Sequence, residues 1–122
     1  MALILVVEDE DQVRMLAEGL LQDGGHTTLS ASNTDQALAL LDGGDRIDLL
    51  FTDVGLQSDI QAGLTLAQEA IKRKTDLPVL YTTGQGLTDG MQAMFVERYE
   101  FLAKPYTSEQ LLTSVENLLR EA

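Results

Sequence analysis

The sequence predicts a doubly wound α/β domain, in which helices cover both faces of a parallel β-sheet. Short apolar runs alternate five times with amphipathic segments, and the connections between them are brief. The first run, Leu3–Val7, is apolar throughout, which is typical of a strand buried on both faces of a parallel sheet. A chain of 122 residues has the size of one domain, so we expect a single domain over residues 1–122.

The first half of the chain predicts two strands and two helices. After Leu3–Val7, a helical pattern runs until Gly24, where glycine is typical of a helix end. Thr27–Ala31 is the second strand, and Asn33 is placed to cap a second helix, with Gln36 three residues later. The apolar residues of the first helix are Val13, Leu16, Ala17, Leu20 and Leu21.

The second half predicts three strands and three helices. Residues 47–52 and 77–82 are apolar strands with a helix over 64–74 between them, and Tyr99–Ala103 is the fifth strand. A helix over 87–95 should be the least stable, because the glycines around it each weaken a helix by about 1 kcal/mol. A capping box, Thr107 with Gln110, begins the last helix. Its apolar stripe comprises Leu111, Leu112, Val115, Leu118 and Leu119.

Composition and charge exclude several classes of function. The chain has 20 acidic and 8 basic residues, and a net charge of −12 repels nucleic acids and anionic lipids, so we expect no nucleic-acid or membrane partner. The absence of cysteine excludes disulfides, thiol catalysis and cysteine-based zinc sites. No apolar run approaches the length of a membrane span, and we expect a cytoplasmic protein.

Polar side chains follow four of the predicted strands, at the end where open parallel sheets bind ligands. Clustered carboxylates raise one another's pKa unless a cation offsets them, and such oxygen ligands suit Mg²⁺ or Mn²⁺. A carboxylate beside such a cation can attack phosphorus, while an ammonium and a hydroxyl hold the other phosphoryl oxygens. The side chains are Glu8, Asp9, Glu10 and Asp11 after the first strand, Asp53 after the third, Thr83 after the fourth and Lys104 after the fifth.

These positions resemble the motifs of the response-regulator receiver family, the CheY-like domains of bacterial two-component signalling, across essentially the whole chain. Individually the motifs are weak, but their order and spacing together are a strong signal. The matching features are the acidic pair Glu8 and Asp9, the phosphoacceptor strand Leu49–Asp53, the hydroxyl of Thr83 beside the small Gly84, and Lys104 followed by Pro105, a pair that the family commonly joins by a cis bond.

The resemblance implies a metal site and a phosphoacceptor. Asp53 is expected to accept the phosphoryl group, while Glu8 and Asp9 serve Mg²⁺ or Mn²⁺ beside it. The backbone carbonyl of Gly55 is expected to complete the coordination. Two departures from the family stand out: Glu8 replaces the commoner aspartate, and the segment 54–62 lacks the usual proline and is somewhat longer.

The resemblance also implies a switch and a sheet order. Thr83 and Lys104 are expected to contact the phosphoryl oxygens, and Thr83 with the aromatic Phe101 is expected to form the switch. The implied fold is flavodoxin-like and CheY-like, with five helices around a five-stranded parallel sheet of order 2-1-3-4-5.

Each of these residues also has an ordinary structural interpretation. Glu8 and its acidic neighbours could form a solvated first helical turn, and Asp53 could be a cap. Thr83 could be only a turn hydroxyl, and Lys104 only a surface charge. Four such accidents on one rim are improbable together. Phe101 is at least as often a packing residue, and His26 has no evident partner, so we interpret it as structural or exposed.

The resulting hypothesis is a phosphorylation switch and not a true enzyme: the domain catalyses only its own phosphoryl transfer and autodephosphorylation. A histidine kinase or histidine phosphotransfer protein would donate the phosphoryl group. The domain carries no output domain in this interpretation, so it would act as a monomer or weak dimer on an unknown downstream protein.

Two rival functions stay open. A metal-dependent phosphohydrolase with an aspartyl-phosphate intermediate usually needs a general acid two residues after the nucleophile, where this chain has Gly55. A degenerate receiver would act as a phosphorylation-independent binding module, an alternative motivated by Glu8 and the unusual segment after Asp53.

Overall fold

The computed structural model describes residues 2–56, 62–84 and 95–120. Strands and helices alternate along the described chain until β4, as the sequence predicts. The strands are β1 (Leu3–Val7), β2 (Thr27–Ala31), β3 (Leu49–Asp53), β4 (Val79–Thr83) and β5 (Tyr99–Ala103). The helices are α1 (Asp11–Asp23), α2 (Thr34–Leu41), α3 (Ala62–Arg73) and α4 (Ser108–Arg120).

The five strands form one parallel sheet in the order β2-β1-β3-β4-β5, which confirms the predicted order and fold class. The described residues contain four helices where five were predicted. The predicted helix over 87–95 lies outside the described residues except for Phe95, which is not helical. The fold class does not depend on this difference, since the crossovers from β1, β2 and β3 all carry helices.

Three elements, β3, β4 and α3, have boundaries that differ by one or two residues from those predicted. β3 begins two residues late and includes Asp53, while the Asp48 carboxylate accepts a hydrogen bond from the Leu3 N–H at the entry to the strand. β4 begins at Val79, because Pro78 has no N–H to donate. The Val79 N–H donates to the carbonyl oxygen of Arg98, the residue just before β5. α3 begins at Ala62, two residues before the predicted start.

The sheet separates two apolar cores, because successive side chains of a strand point to opposite faces. The helices α2 and α3 cover one face, and α1 and α4 cover the other. The first core contains Leu5, Val7, Leu50, Val79 and Tyr81 with Ala37, Leu41, Leu64, Ala67 and Ala70. The second contains Ile4, Val6, Leu49, Phe51 and Leu80 with Ala17, Leu21, Leu111, Val115 and Leu118.

One residue of the predicted α1 stripe does not face inward. Leu16 is 66 % exposed, whereas Ala17 and Leu21 are buried. Ala17 and Leu21 are about one turn apart and define the centre of the buried face, so Leu16 lies about 120° around the helix from that centre. The neighbouring Met15 is also exposed, so the two side chains form a small apolar surface on α1.

Both predicted helix caps are present. The Asn33 side chain accepts a hydrogen bond from the Gln36 N–H at 2.8 Å. Thr107 Oγ1 accepts from the Gln110 N–H at 3.1 Å, and Gln110 Oε1 accepts from the Thr107 N–H at 2.9 Å. The last pair is the reciprocal arrangement of a capping box, and it sets the start of α4 directly after the β5 end of the sheet.

Candidate functional site

Four strands deliver the predicted site residues to one end of the sheet. Glu8 follows β1, Asp53 ends β3, Thr83 ends β4 and Lys104 follows β5. These strands are parallel and adjacent in the order β1-β3-β4-β5, so their carboxyl ends form one continuous rim. We refer to these ends, with the turns that follow them, as the carboxyl rim.

The Lys104 ammonium bridges the two carboxylates at the centre of the rim. Its Nζ donates to Glu8 Oε1 and to Asp53 Oδ2, both at 2.7 Å. The side chains of Glu8 and Asp53 are 6 % and 13 % exposed, so neither ion pair is an ordinary surface contact. Residues 96 and 51 positions apart in the sequence therefore meet in one charged cluster.

Burial and charge shift the protonation equilibria of this cluster. Burial, which outweighs the opposing effect of Lys104 and is reinforced by a hydrogen bond with the Asp9 side chain, raises the pKa of Glu8 to about 7. Burial by itself lowers the pKa of Lys104, but its hydrogen bonds to Asp53 and Glu8 prevail, and the pKa is raised above its ordinary range. Lys104 is therefore a permanent cation at neutral pH.

The backbone after β3 holds the second oxygen of Asp53. Gly55 N–H donates to Asp53 Oδ1 at 3.2 Å, and the Thr52 hydroxyl donates to the Asp53 carbonyl at 3.0 Å. Val54 N–H donates to Thr82 O, which continues the pairing with β4 beyond the end of β3. The Asp53 carboxylate thus has a neighbouring donor at each oxygen and a fixed backbone below it.

Thr83 and Lys104 are joined through their backbones. Lys104 N–H donates to the Thr83 carbonyl at 3.0 Å, and Thr83 is buried. The Lys104–Pro105 peptide bond is cis, as the resemblance implied. Phe101 is half-buried, and its ring centroid lies 6.4 Å from that of Phe95.

The donor set of the rim fits a divalent cation. Glu8, Asp9 and Asp53 place three carboxyl groups beside the single positive charge of Lys104, and Glu8 and Asp9 are close enough to share a proton in a hydrogen bond. A hard divalent cation would offset this surplus with the oxygen ligands that it prefers. In the described part of the chain no three acidic or histidine side chains stand arranged around one ion position, and the Lys104 ammonium contacts two of the carboxylates.

Comparison with known proteins settles the family. Residues 4–116 match the family described as response regulator receiver domain. The chain belongs to this family. We therefore refer to it as the receiver. Its relatives share the general role of a receiver domain in phosphorelay signalling.

Individual relatives agree with this assignment. The receiver is 31 % identical over 117 residues to the nitrogen assimilation regulatory protein NtrX of Azorhizobium caulinodans, covering 95 % of this chain and 26 % of that protein. It is 30 % identical to the sensor kinase CckA of Brucella abortus, covering 98 % of this chain and 13 % of that protein. The crystal structure of the receiver domain of NtrX from Brucella abortus superposes with a TM-score of 0.84 at 33 % identity, with 98 % and 99 % of the two chains covered.

The receiver spans about a quarter or less of the length of these two curated relatives. Within the described residues no helix is long and apolar enough to cross a membrane.

The sequence reasoning missed one residue of the rim. Gly63, in the first turn of α3, lies so close to the end of β3 that a Cβ there would overlap the Asp53 carbonyl oxygen. Its N–H also donates to Val54 O at 2.7 Å. The sequence signal that could have found Gly63 is a glycine at the start of a predicted helix where no turn requires one. Glycine is unfavourable in a helix, so its presence there indicates that another part of the backbone approaches closely.

The structure also gives His26 a partner that the sequence did not reveal. Its Nδ1 accepts a hydrogen bond from the Ala2 N–H at 3.2 Å, at the opposite end of the sheet from the rim. The structural interpretation of His26 stands, and the expectation that it had no evident partner was wrong.

Proposed function

We propose that the receiver is a phosphorylation switch in which Asp53 accepts a phosphoryl group from a phosphohistidine. The observation that carries this proposal is the contact of the Lys104 ammonium with both Glu8 and Asp53 at 2.7 Å each. It supports the proposal because a nucleophilic carboxylate, a second carboxylate for a cation and an ammonium for phosphoryl oxygens are thereby gathered at one partly buried point.

In the proposed transfer, an Asp53 carboxylate oxygen attacks the phosphorus of the donor. The new O–P bond forms as the P–N bond to the imidazole breaks, and the imidazole nitrogen keeps the electron pair and takes up a proton. Glu8, Asp9, Asp53 and the Gly55 carbonyl would hold Mg²⁺ or Mn²⁺, and the bound cation would supply positive charge beside the phosphoryl oxygens.

Two further side chains orient the phosphoryl group. The Lys104 ammonium turns from the carboxylates to a phosphoryl oxygen and keeps the group in line with the attacking oxygen. The Thr83 hydroxyl donates to another oxygen, and its displacement toward the phosphoryl group carries the change to β4 and to the half-buried Phe101 on β5.

The output of the switch is a change in affinity for a downstream protein. The donor is a histidine kinase or a histidine phosphotransfer protein, and the receiver acts in the cytoplasm as a monomer or weak dimer. Its only catalysis is its own phosphorylation and dephosphorylation. The net charge of −12 supports a protein partner over a nucleic acid or a membrane.

Intact-mass measurement tests this function directly. The purified receiver is incubated with a small acyl phosphate and Mg²⁺, beside an EDTA arm, the variant Asp53→Ala and the control Asp23→Asn, which removes an exposed acid at the end of α1. We expect one added phosphoryl group on the wild type and on Asp23→Asn, and none with EDTA or Asp53→Ala.

Two outcomes would overturn the switch. No uptake by a wild type whose circular dichroism is native would favour the phosphorylation-independent binding module. Steady release of phosphate from a small phosphate ester over many turnovers would favour the phosphohydrolase.

A further inference from the structure

Arg14, in the first turns of α1, reaches back to the turn that carries Glu8 and Asp9. Its Nη1 donates to the Glu8 carbonyl oxygen at 2.8 Å, and its Nε donates to Ser30 Oγ on β2 at 3.0 Å. Nη2 donates to Asp11 Oδ1 at 2.7 Å. The Arg14 side chain is only 14 % exposed. Three nitrogens of one guanidinium thus connect α1, β2 and the turn after β1.

The contact with Glu8 differs from the ordinary ion pairs of a helix surface. The pairs of Arg14 with Asp11 and Glu18 have the usual spacing of three and four residues, and such pairs contribute little to stability. The Glu8 acceptor lies six residues back, outside the helix, and it is a backbone carbonyl. A planar guanidinium can serve the turn and the neighbouring strand at once, whereas a lysine ammonium cannot copy this fork.

The turn between β1 and α1 also contains a local hydrogen bond, from the Glu10 N–H to Glu8 Oε2 at 3.1 Å. Glu10 occupies the N-cap position of α1 but its side chain makes no capping hydrogen bond. Glu8 N–H donates to Ala31 O, and the Glu8 carbonyl accepts from Arg14, so the backbone of Glu8 is held on both sides. The peptide group that Arg14 holds is the one that joins Glu8 to Asp9. The orientation of this peptide group therefore affects the directions in which the Glu8 and Asp9 side chains leave the backbone.

We infer that Arg14 is a positioning residue for the cation site, acting through the peptide group between Glu8 and Asp9. This inference rests on the proposed function, because the ligand is the divalent cation of that site. The positive charge of Arg14 and its hold on the turn predict opposite effects on the affinity for Mg²⁺. Removing a positive charge near a cation site should tighten Mg²⁺ binding by Coulomb's law, whereas releasing the turn should weaken it.

Titration of the protein with MgCl₂ alone distinguishes the effect of charge from the effect of positioning. Binding is measured by calorimetry and by the chemical shifts of the backbone amides. The variants are Arg14→Met, Arg14→Lys and Ser30→Ala. The matched control is Arg73→Met, which also removes one positive charge and a guanidinium bonded to a carboxylate, Asp42, and to a backbone carbonyl, that of Glu69. Arg73 is the last residue of α3, at the opposite end of the sheet from the carboxyl rim.

We expect Arg14→Met to raise the Kd for Mg²⁺ about tenfold, the range found for residues that orient metal ligands. Arg14→Lys should fall between Arg14→Met and the wild type. Ser30→Ala should raise the Kd by about two- to threefold, less than Arg14→Met, because it removes only one of the contacts that hold the guanidinium. Arg73→Met should stay within about twofold of the wild type. If Arg14→Met does not fold, as judged by circular dichroism, the Arg14→Lys and Ser30→Ala values decide.

An unchanged or lower Kd in folded Arg14→Met, or in Arg14→Lys and Ser30→Ala if the methionine variant is unfolded, would overturn the inference and leave the proposed function intact. Absence of Mg²⁺ binding by the wild type would overturn the metal step of the proposed function, and the inference with it.

Discussion

Two buried threonines beside Asp53 differ in the hydrogen bonding of their hydroxyls. Thr52 on β3 donates to the Asp53 carbonyl, whereas Thr82 Oγ1 on β4 is buried with no hydrogen-bond partner among the described residues. Both side chains lie in the interior of the sheet, at 0 % and 3 % exposure. A buried polar group without a partner costs about 1–3 kcal/mol, so the two residues should respond oppositely to the same substitution.

We predict that Thr82→Val raises the free energy of unfolding by about 1 kcal/mol, because valine has the same shape and removes an unsatisfied hydroxyl. Thr52→Val should lower it by about the same amount, since it deletes a hydrogen bond. Urea unfolding of both variants beside the wild type measures these differences. Destabilisation by Thr82→Val would show that the hydroxyl has a partner in solution, such as an ordered water.

The protonation of His26 should affect stability at mildly acidic pH. Burial lowers the pKa of His26 below its ordinary value, and Glu116 opposes this shift only in part. Folding therefore favours the neutral ring, whose Nδ1 accepts from Ala2 N–H. The stabilisation is present above pH of about 6.5 and is lost as the pH falls below that value, because the unfolded chain then binds the proton more readily.

We predict that the wild type loses more stability between pH of about 7.5 and 5.5 than His26→Gln does, because only the wild type carries the titrating ring. Urea unfolding at a series of pH values measures both proteins under identical conditions. Parallel pH profiles of the two proteins would contradict the prediction.

At the scale of single elements, the start of α3 depends on close approach to β3. Any side chain at Gly63 would overlap the Asp53 carbonyl, whereas a Cβ at Gly19 in α1 meets nothing within 4 Å. Both glycines are helical, so intrinsic helix propensity favours alanine at each by about 1 kcal/mol. Only tertiary packing distinguishes them.

We predict that Gly19→Ala stabilises the receiver by about 1 kcal/mol and that Gly63→Ala destabilises it by about 2–3 kcal/mol. The overlap should also displace the backbone of Asp53, so Gly63→Ala should slow phosphorylation in the intact-mass assay while Gly19→Ala should not. Equal stabilities of the two variants would show that α3 can retreat from β3 without cost.

The elements themselves were largely predictable, because their signals are local. The cap at Asn33 and the capping box at Thr107 are hydrogen bonds between residues three positions apart. The continuous apolar run of β1 reports burial on both faces of a parallel sheet. The start of β3 was misplaced because the apolar Ile47 lies just before the strand, and only the contacts of Asp48 with Leu3 show that regular pairing begins after it.

At the scale of the whole molecule, charge opposes folding. A net charge of −12 on a chain of this size produces self-repulsion that the unfolded state relieves. Salt screens such repulsion, with a Debye length of about 10 Å at 0.1 M. Screening of this repulsion by salt should therefore stabilise the folded state by more than the screening of the exposed ion pairs destabilises it.

We predict that raising NaCl from about 0.02 M to about 0.2 M increases the free energy of unfolding by about 1 kcal/mol. The double variant Asp23→Asn/Asp45→Asn, which removes two exposed acids, should show a smaller increase. Thermal unfolding at each salt concentration measures the effect. A decrease with salt would indicate that the ion pairs outweigh the repulsion.

The sequence by itself determined the fold class, the sheet order that the family resemblance implied, and the candidate residues of the rim. These properties are readable because periodicity, caps and strand-end motifs are local in the chain. The tertiary structure alone decided that Lys104 bridges Glu8 and Asp53, that Gly63 must lack a side chain, and that Arg14 holds the turn after β1. Those contacts join residues of different elements, and their distances depend on how the helices pack against the sheet, which no local pattern encodes.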